Sequence, residues 1–209
     1  YKSMGKFKLA IYLFCMMAFA GCSGQKQTAT GQKEQTDKQW VLGPFVRPEG
    51  VNPVISPRMT TFQCPMRKQL VKWEESDTFN PAATVKDGKI IVLYRAEDNS
   101  AQGIGKRTSR IGYAESLDGI TMTRDDLPVL FPAEDTYKDI EWEGGCEDPR
   151  VAMTEDGTYV MLYTAWNRNI PRLAVAVSKD LKKWTKHGLA FAKAYNGRFA
   201  DLDSTSDSI

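Results

Sequence analysis

Two segments of this chain repeat one another at a spacing of about 68 residues. The first starts at Asn80-Pro81, turns at Asp87-Gly88 and continues into an apolar run. The second starts at Asp148-Pro149, turns at Asp156-Gly157 and also continues into an apolar run. Repeated strand-turn-strand units of roughly 40 to 70 residues are typical of β-propeller blades. The sequence therefore predicts an all-β fold of consecutive four-stranded antiparallel blades, with residues 80–133 and 148–192 as successive units.

The positions of the two Asp-Gly turns predict which residues face each other across each hairpin. A turn centred on the first Asp-Gly pair places Asn80 opposite Arg95, and the second places Asp148 opposite Ala165. Opposed residues of an antiparallel pair lie about 5 Å apart. We therefore expect Asn80, Arg95 and Asp148 to face one mouth of the central channel.

Charged residues beside these positions indicate more than a turn. An Asx-Pro pair is a common turn signal, so the alternative interpretation is that both pairs are only strand-entry turns. However, Glu147 and Arg150 flank Asp148-Pro149, and Arg95 is followed closely by two more acidic residues. Charged residues gathered at one rim of a β-rich domain raise its free energy unless they are hydrated, form ion pairs or contact a ligand.

Four segments taken together, residues 79–83, 93–98, 109–114 and 145–151, resemble glycoside hydrolase family 130. The resemblance extends from about residue 79 to residue 199. It implies a five-bladed β-propeller, of which this chain would hold the first two to three blades. It also implies that Asp148 is the general acid, acting through a sugar hydroxyl, and that Asn80 and Arg95 contact the sugar or an attacking phosphate. Glu147 and Arg150 are further candidates for binding substrate or phosphate.

The family consists of mannoside phosphorylases and related β-mannosidases. The resemblance therefore implies inverting cleavage of β-mannosidic bonds, by phosphorolysis or by hydrolysis, with a β-mannoside oligosaccharide as partner. No cofactor is expected beyond inorganic phosphate, which is the co-substrate of a phosphorylase but not of a hydrolase. No Cys/His metal spacing is present, so no metal site is predicted. The alternative function is a non-catalytic, carbohydrate-binding propeller lipoprotein.

The length of the chain bears on how much of the expected domain it holds. Five blades need roughly 300 residues, and about 170 remain after the N-terminal segments. The ending, residues 201–209, also departs from the family pattern. We therefore expect residues 41–209 to be an incomplete propeller glycosidase domain that is itself inactive, the N-terminal part of a longer enzyme. Its oligomeric state is open.

The first 40 residues have the features of a targeting segment. A basic stretch after Met4 precedes 12 apolar residues, 9–20, which are too few to span a bilayer. They lead into Ala20-Gly21-Cys22, similar to a bacterial lipobox with Cys22 as the lipidated residue. We expect a lipoprotein-type signal peptide over residues 1–22, a flexible tether over 23–40 and a periplasm-facing protein anchored to the membrane only through lipid. A simple secretory signal is the alternative.

Composition narrows the remaining function classes. The 28 basic and 26 acidic residues nearly balance, which argues against nucleic acid as a partner. The chain has a single histidine, His187, interpreted as a surface or turn residue. Cys64 and Cys146 remain in the folded part and are interpreted as two buried thiols, with a disulfide as the alternative.

Overall fold

The computed structural model of the protein describes residues 42–103 and 105–205. All of its regular elements lie in a unit that starts at Val46. The helical elements of the described residues are a four-residue helix, α1 (Lys138–Glu141), and a short 3-10 segment (Ala194–Gly197). The strands in chain order are β1 (Thr61–Cys64), β2 (Gln69–Lys72), β3 (Asp77–Lys86), β4 (Lys89–Glu97), β5 (Ser109–Ser116), β6 (Thr123–Arg124), β7 (Gly145–Met153), β8 (Tyr159–Trp166), β9 (Pro171–Ser178) and β10 (Thr185–Leu189).

Eight of the strands form two antiparallel units of four, each in up-and-down order. β3 to β6 pair successively in the first unit, and β7 to β10 pair successively in the second. The units, residues 77–124 and 145–189, overlap the predicted repeats over 80–133 and 148–192, and no helix in the described residues between 79 and 192 exceeds the four residues of α1. The all-β prediction is thus confirmed. Closure into a five-bladed propeller stays a prediction, because the described residues form no closed ring.

The first repeat contains a β-bulge that makes the predicted register wrong by one residue. Phe79, rather than Asn80, lies opposite Arg95, and the register shifts between Phe79 and Ala82. Asn80 has a φ of 44°, a left-handed conformation that asparagine adopts more readily than most residues. Pro81 follows and has no N–H to donate to the ladder, so the pairing is interrupted here.

The second repeat contains the same bulge at the same position. Cys146, rather than Asp148, pairs with Ala165, and the register shifts between Glu147 and Arg150. Asp148 has a φ of 49°, close to that of its counterpart in the first repeat. The β7–β8 loop is also wider than the two-residue Asp-Gly turn assumed from the sequence, since residues 154–158 separate the two strands. The bulge and the wider loop together explain why the predicted pairing of Asp148 with Ala165 is wrong by two residues.

The two units share one core, and in the part of the chain that the structure describes a single parallel bridge joins them. Ser109 of β5 pairs with Gly145 of β7. Beneath this bridge, fully buried side chains from both units, including Leu93, Ile111 and Tyr163, pack into one cluster. The position of β7 beside β5 is therefore set by contacts that each unit provides for the other.

The β1–β2 hairpin forms a separate small sheet that covers the first unit. Its Phe62 packs with Trp73 and Tyr94 in a second buried cluster. The adjacent Glu74 is fully buried, accepts a hydrogen bond from the Tyr94 hydroxyl at 2.9 Å and pairs with Arg124 of β6. A buried carboxylate needs such partners to offset its lost hydration.

Several residues outside the candidate site are also located. Cys64 and Cys146 are buried free thiols, which confirms that interpretation. His187 is exposed on β10. The predicted signal peptide (residues 1–22), the tether (23–40) and the lipidation residue Cys22 lie outside the described residues. No helix within the described ranges has the length and apolar character needed to cross a bilayer.

Candidate active site

The two bulges bring Asn80 and Asp148 into direct contact. The Asn80 side-chain amide donates to Asp148 Oδ1 at 3.0 Å, although 68 residues separate the two in sequence. A bulge re-aims the side chain of its extra residue, and here both are aimed into the space between β3 and β7. The same position of each repeat thus contributes one half of a polar site.

Arg95 of β4 is the centre of this site, because three carboxylates converge on its guanidinium. Nη1 lies 3.0 Å from Asp148 Oδ1. Nη2 lies 2.6 Å from Glu97 Oε1 and 2.8 Å from Glu147 Oε1. Nε donates to Ser109 Oγ at 3.1 Å. We call these five residues, Arg95, Glu97, Ser109, Glu147 and Asp148, the Arg95 cluster.

The members of the Arg95 cluster differ in how far their side chains are exposed. The Arg95 side chain is only 4% exposed, and Glu97 is fully buried. The Asp148 side chain is 24% exposed and the neighbouring Asn80 is exposed. Arg95 also stacks on the Phe79 ring, 4.5 Å from its centroid. Asp148 is therefore the most exposed carboxylate of the cluster, and Arg95 contacts it from the buried side.

Two pKa values in the cluster are displaced. Burial raises the pKa of Glu147 to about 7, although Arg95 and the Ser109 hydroxyl act in the opposite direction. For Arg95, burial acts to lower the pKa, but the carboxylates of Glu147, Asp148 and Glu97 outweigh it and raise the pKa. The cluster therefore combines a permanent cation with a carboxyl group that titrates near neutral pH.

Arg150 occupies a different position from the other predicted site residues. It lies on β7, directly beyond the bulge, and is half-buried. Its Nη1 donates to the carbonyl oxygen of its neighbour Pro149 at 2.8 Å. The structure thus brings together Asn80, Arg95, Glu147 and Asp148 and leaves Arg150 beside them.

Glu97 and Ser109 are members of the site that the sequence prediction did not include. They face each other across the β4–β5 pair, so one pairing position supplies both. Ser109 Oγ lies 3.1 Å from Glu147 Oε1 and 3.3 Å from Glu97 Oε1. The sequence did contain one indication that Glu97 belongs to the site. Glu97 lies two residues after Arg95, and residues two apart share a face of a strand.

Within the described residues, no group of three or more His, Cys, Asp and Glu side chains is arranged to hold a metal ion. Where three carboxylates do converge, Arg95 provides the positive charge at their centre. The arrangement offers a partly exposed carboxylate held by two donors, which suits proton transfer to a bound oxygen.

Residues 51–206 match a family model, that of glycoside hydrolase family 130, described as beta-1,4-mannooligosaccharide phosphorylase. A curated 1,2-beta-oligomannan phosphorylase from Thermoanaerobacter sp. (strain X514) is 34% identical over 151 residues, which are 66% of this chain and 49% of that protein. The chain thus spans about half the length of this curated relative.

Two solved structures are more similar still. One is a candidate glycoside hydrolase from Bacteroides ovatus ATCC 8483, 76% identical with a TM-score of 0.75, covering 80% of this chain and 47% of that one. The other is 62% identical with a TM-score of 0.78 and the same coverage. It is described under family 130 mannoside phosphorylases, among glycoside hydrolases that target beta-1,2 mannosidic linkages in Candida mannan.

Proposed function

Since this chain belongs to glycoside hydrolase family 130, we propose that the protein cleaves β-mannosidic bonds with inversion and that Asp148 is its general acid. The observation that carries the proposal is the position of Asp148. It is the most exposed carboxylate of the Arg95 cluster, and Arg95 and Asn80 each donate to it at 3.0 Å. A carboxyl group fixed in this way can deliver a proton to a leaving oxygen, directly or through a sugar hydroxyl.

Hydrolysis is the form of the reaction that we propose. An inverting enzyme attacks the anomeric carbon from the face opposite the acid, with water activated by a base or with phosphate. A phosphate needs cations, and Arg95 is already engaged by three carboxylates. In addition, the 62%-identical relative is described among hydrolases, whereas the phosphorylase is 34% identical. Phosphorolysis is the second candidate, supported by that phosphorylase and by the family description.

A β-1,2-linked mannoside is the substrate that we propose. The name of the curated relative and the description of the 62%-identical structure both specify β-1,2 linkages. The family model carries a β-1,4 name, so a β-1,4-linked mannoside is the alternative substrate that the assay must include.

The test is an assay of the full-length protein on β-1,2- and β-1,4-mannobiose, with and without inorganic phosphate. We expect mannose to be released from the β-1,2 substrate at a rate that does not depend on phosphate. Formation of mannose 1-phosphate only when phosphate is present would identify a phosphorylase instead. Binding of mannobiose without turnover under either condition would support the non-catalytic, carbohydrate-binding alternative.

We also propose that Cys22 carries lipid and holds the protein on the periplasmic face of the bacterial envelope. The support is the apolar run of residues 9–20 ending in the lipobox-like Ala20-Gly21-Cys22. A Cys22→Ala variant should lose acyl labelling and leave the membrane fraction. Cys15→Ala, a change within the apolar run, is the matched control and should keep both. Unchanged membrane association of the Cys22→Ala protein would contradict the proposal.

A further inference from the structure

Charged side chains continue from the Arg95 cluster to the start of β3. Glu97 binds Arg95 Nη2 through Oε1 at 2.6 Å, and its other oxygen, Oε2, lies 3.5 Å from Arg107 Nη1. The same nitrogen of Arg107 contacts Asp77 Oδ2. The signs of the four charges alternate from Asp77, whose side chain is 46% exposed, to the buried Arg95. We call Asp77, Arg107 and Glu97 the outer charges.

Arg107 lies between two carboxylates that the strand pairing places opposite each other. Asp77 and Glu97 are direct partners in the β3–β4 register. Like charges directly opposite each other destabilise an antiparallel pair. Arg107 Nη1 contacts one oxygen of each, so a single nitrogen holds both carboxylates. Loss of this nitrogen would release Glu97 Oε2, and the direction of Glu97 Oε1 toward Arg95 would no longer be fixed from that side.

The connection between β4 and β5 holds Arg107 in this position. The base of the connection is closed by Asp98, which accepts from the backbone N–H of Thr108 at 3.2 Å and pairs with Arg110 at 3.0 Å. Arg107 Nε also donates to the carbonyl oxygen of Ala101 at 3.3 Å. Both the backbone beside Arg107 and the far end of its side chain are therefore held by the protein.

The second repeat has uncharged residues at the equivalent strand positions. Asp77 and Glu97 correspond to Gly145 and Trp166, which pair with each other in the same way. The β8–β9 connection has four residues, whereas the β4–β5 connection, which supplies Arg107, has eleven. The second repeat nevertheless forms the same four antiparallel strands. A four-stranded unit of this kind therefore does not need the outer charges in order to form.

The opposite face of the second strand shows what both repeats do share. Tyr94 of β4 donates to the buried Glu74 at 2.9 Å, and Tyr163 of β8 donates to the buried Glu141 at 2.7 Å. Arg95 directly follows Tyr94, so its side chain lies on the other face of β4. The fold accounts for the contact that is repeated. The outer charges occur on the face that carries Arg95, and we infer their role from that residue.

We propose that Arg107 is a positioning residue that, through Glu97, fixes the plane of the Arg95 guanidinium and thereby the direction of the contact from Arg95 Nη1 to Asp148. This inference rests on the proposed role of Asp148. A guanidinium is planar and rigid, and Glu97 and Asp148 bind different nitrogens of it. A rotation that lengthens one contact therefore displaces the other. Misplacement near the reacting atoms by a distant substitution can lower a rate by about 10²-fold.

The first test is the steady-state kinetics of an Arg107→Gln variant of the full-length protein on the mannobiose that it cleaves. We expect kcat to fall by about tenfold with KM nearly unchanged, because Arg107 acts on the orientation of the site. Arg107→Lys should keep most of the rate, since one nitrogen contacts both carboxylates and an ammonium can replace it. Lys106→Gln, which removes an exposed positive charge one residue away, is the matched control and should leave both constants unchanged.

A second substitution determines whether the effect passes through Arg95. An ammonium has no plane to fix, so Arg107→Gln should not lower kcat further in an Arg95→Lys background. Independent effects would multiply instead. An equal loss in both backgrounds, an increase in KM alone or unchanged kinetics of Arg107→Gln would overturn the proposal. If Arg107→Gln does not fold, Arg107→Met, which keeps the apolar stem of the side chain, replaces it in every comparison.

The third test needs no activity and therefore separates this inference from the proposed function. Contacts to both Nη nitrogens slow the rotation of a guanidinium, so nitrogen NMR should resolve two Nη signals for Arg95, assigned by their loss in Arg95→Lys. These signals should exchange faster in Arg107→Gln and be unchanged in Lys106→Gln. Equal exchange in the wild type and Arg107→Gln would overturn the proposal, even if Arg95→Lys is inactive. Faster exchange in Arg107→Gln, with no turnover by the wild type, would refute only the enzymatic function.

Discussion

Replacement of Asp148 by asparagine is expected to lower kcat for β-mannoside cleavage by about 10²- to 10⁴-fold, the usual contribution of a general acid. The amide has nearly the same shape and can still accept hydrogen bonds from Arg95 and Asn80, so the site should keep its geometry. It cannot supply the proton that the leaving oxygen requires. Steady-state kinetics on β-1,2-mannobiose measure the loss, and thermal unfolding establishes that the fold is retained.

Asp139→Asn is the matched control for this experiment. Asp139 is exposed on α1 in the same half of the chain, and its substitution should leave kcat unchanged. An Asp148→Asn protein with near-wild-type turnover would show that Asp148 is not the acid. If Glu147→Gln were then inactive, the proton donor would be the neighbouring carboxyl group. If neither substitution mattered, the turn would be structural.

The contact between Asn80 and Asp148 was predictable even though the strand register was not. Both repeats carry the same bulge at an Asx-Pro pair, so the two positions remain equivalent although the register error is one residue in the first repeat and two in the second. In this chain, the equivalence of positions in the two repeats therefore predicts which residues lie together better than counting residues from a turn does. The bulge itself depends on a left-handed residue before proline, and an Asx-Pro pair equally signals an ordinary turn.

The buried half of the site was not predictable from the sequence. Residues 91–97 of β4 are buried on both faces, so the alternation of apolar and polar residues that reveals an inward side chain is absent. Ser109 follows an irregular connection of eleven residues, 98–108, whose length conceals its pairing with Glu97. The convergence of three carboxylates on Arg95 depends on the packing of β7 against both β3 and β4, which is a tertiary property.

Replacement of Gly145 by alanine is expected to destabilise the protein by about 3 kcal/mol or more, the range of a severe backbone clash. Gly145 has a φ of 117°, which side-chain-bearing residues rarely adopt. A Cβ there would lie 2.1 Å from the carbonyl oxygen of Ser109 and 2.6 Å from its backbone nitrogen. Neither atom can rotate away, so β5 and β7 must separate at their only parallel bridge in the described residues.

Gly157→Ala is the matched control, because it isolates the cost of a positive φ. Gly157 has a φ of 75°, and a Cβ there would meet nothing within 4 Å, so the expected loss is about 1 kcal/mol. Urea unfolding of both variants measures the difference. Separation of the strands would also displace the Ser109 hydroxyl from Glu147, so Gly145→Ala should impair cleavage below its unfolding temperature, whereas Gly157→Ala should not. Equal stability losses in the two variants would mean that β5 and β7 do not approach as closely as this bridge requires.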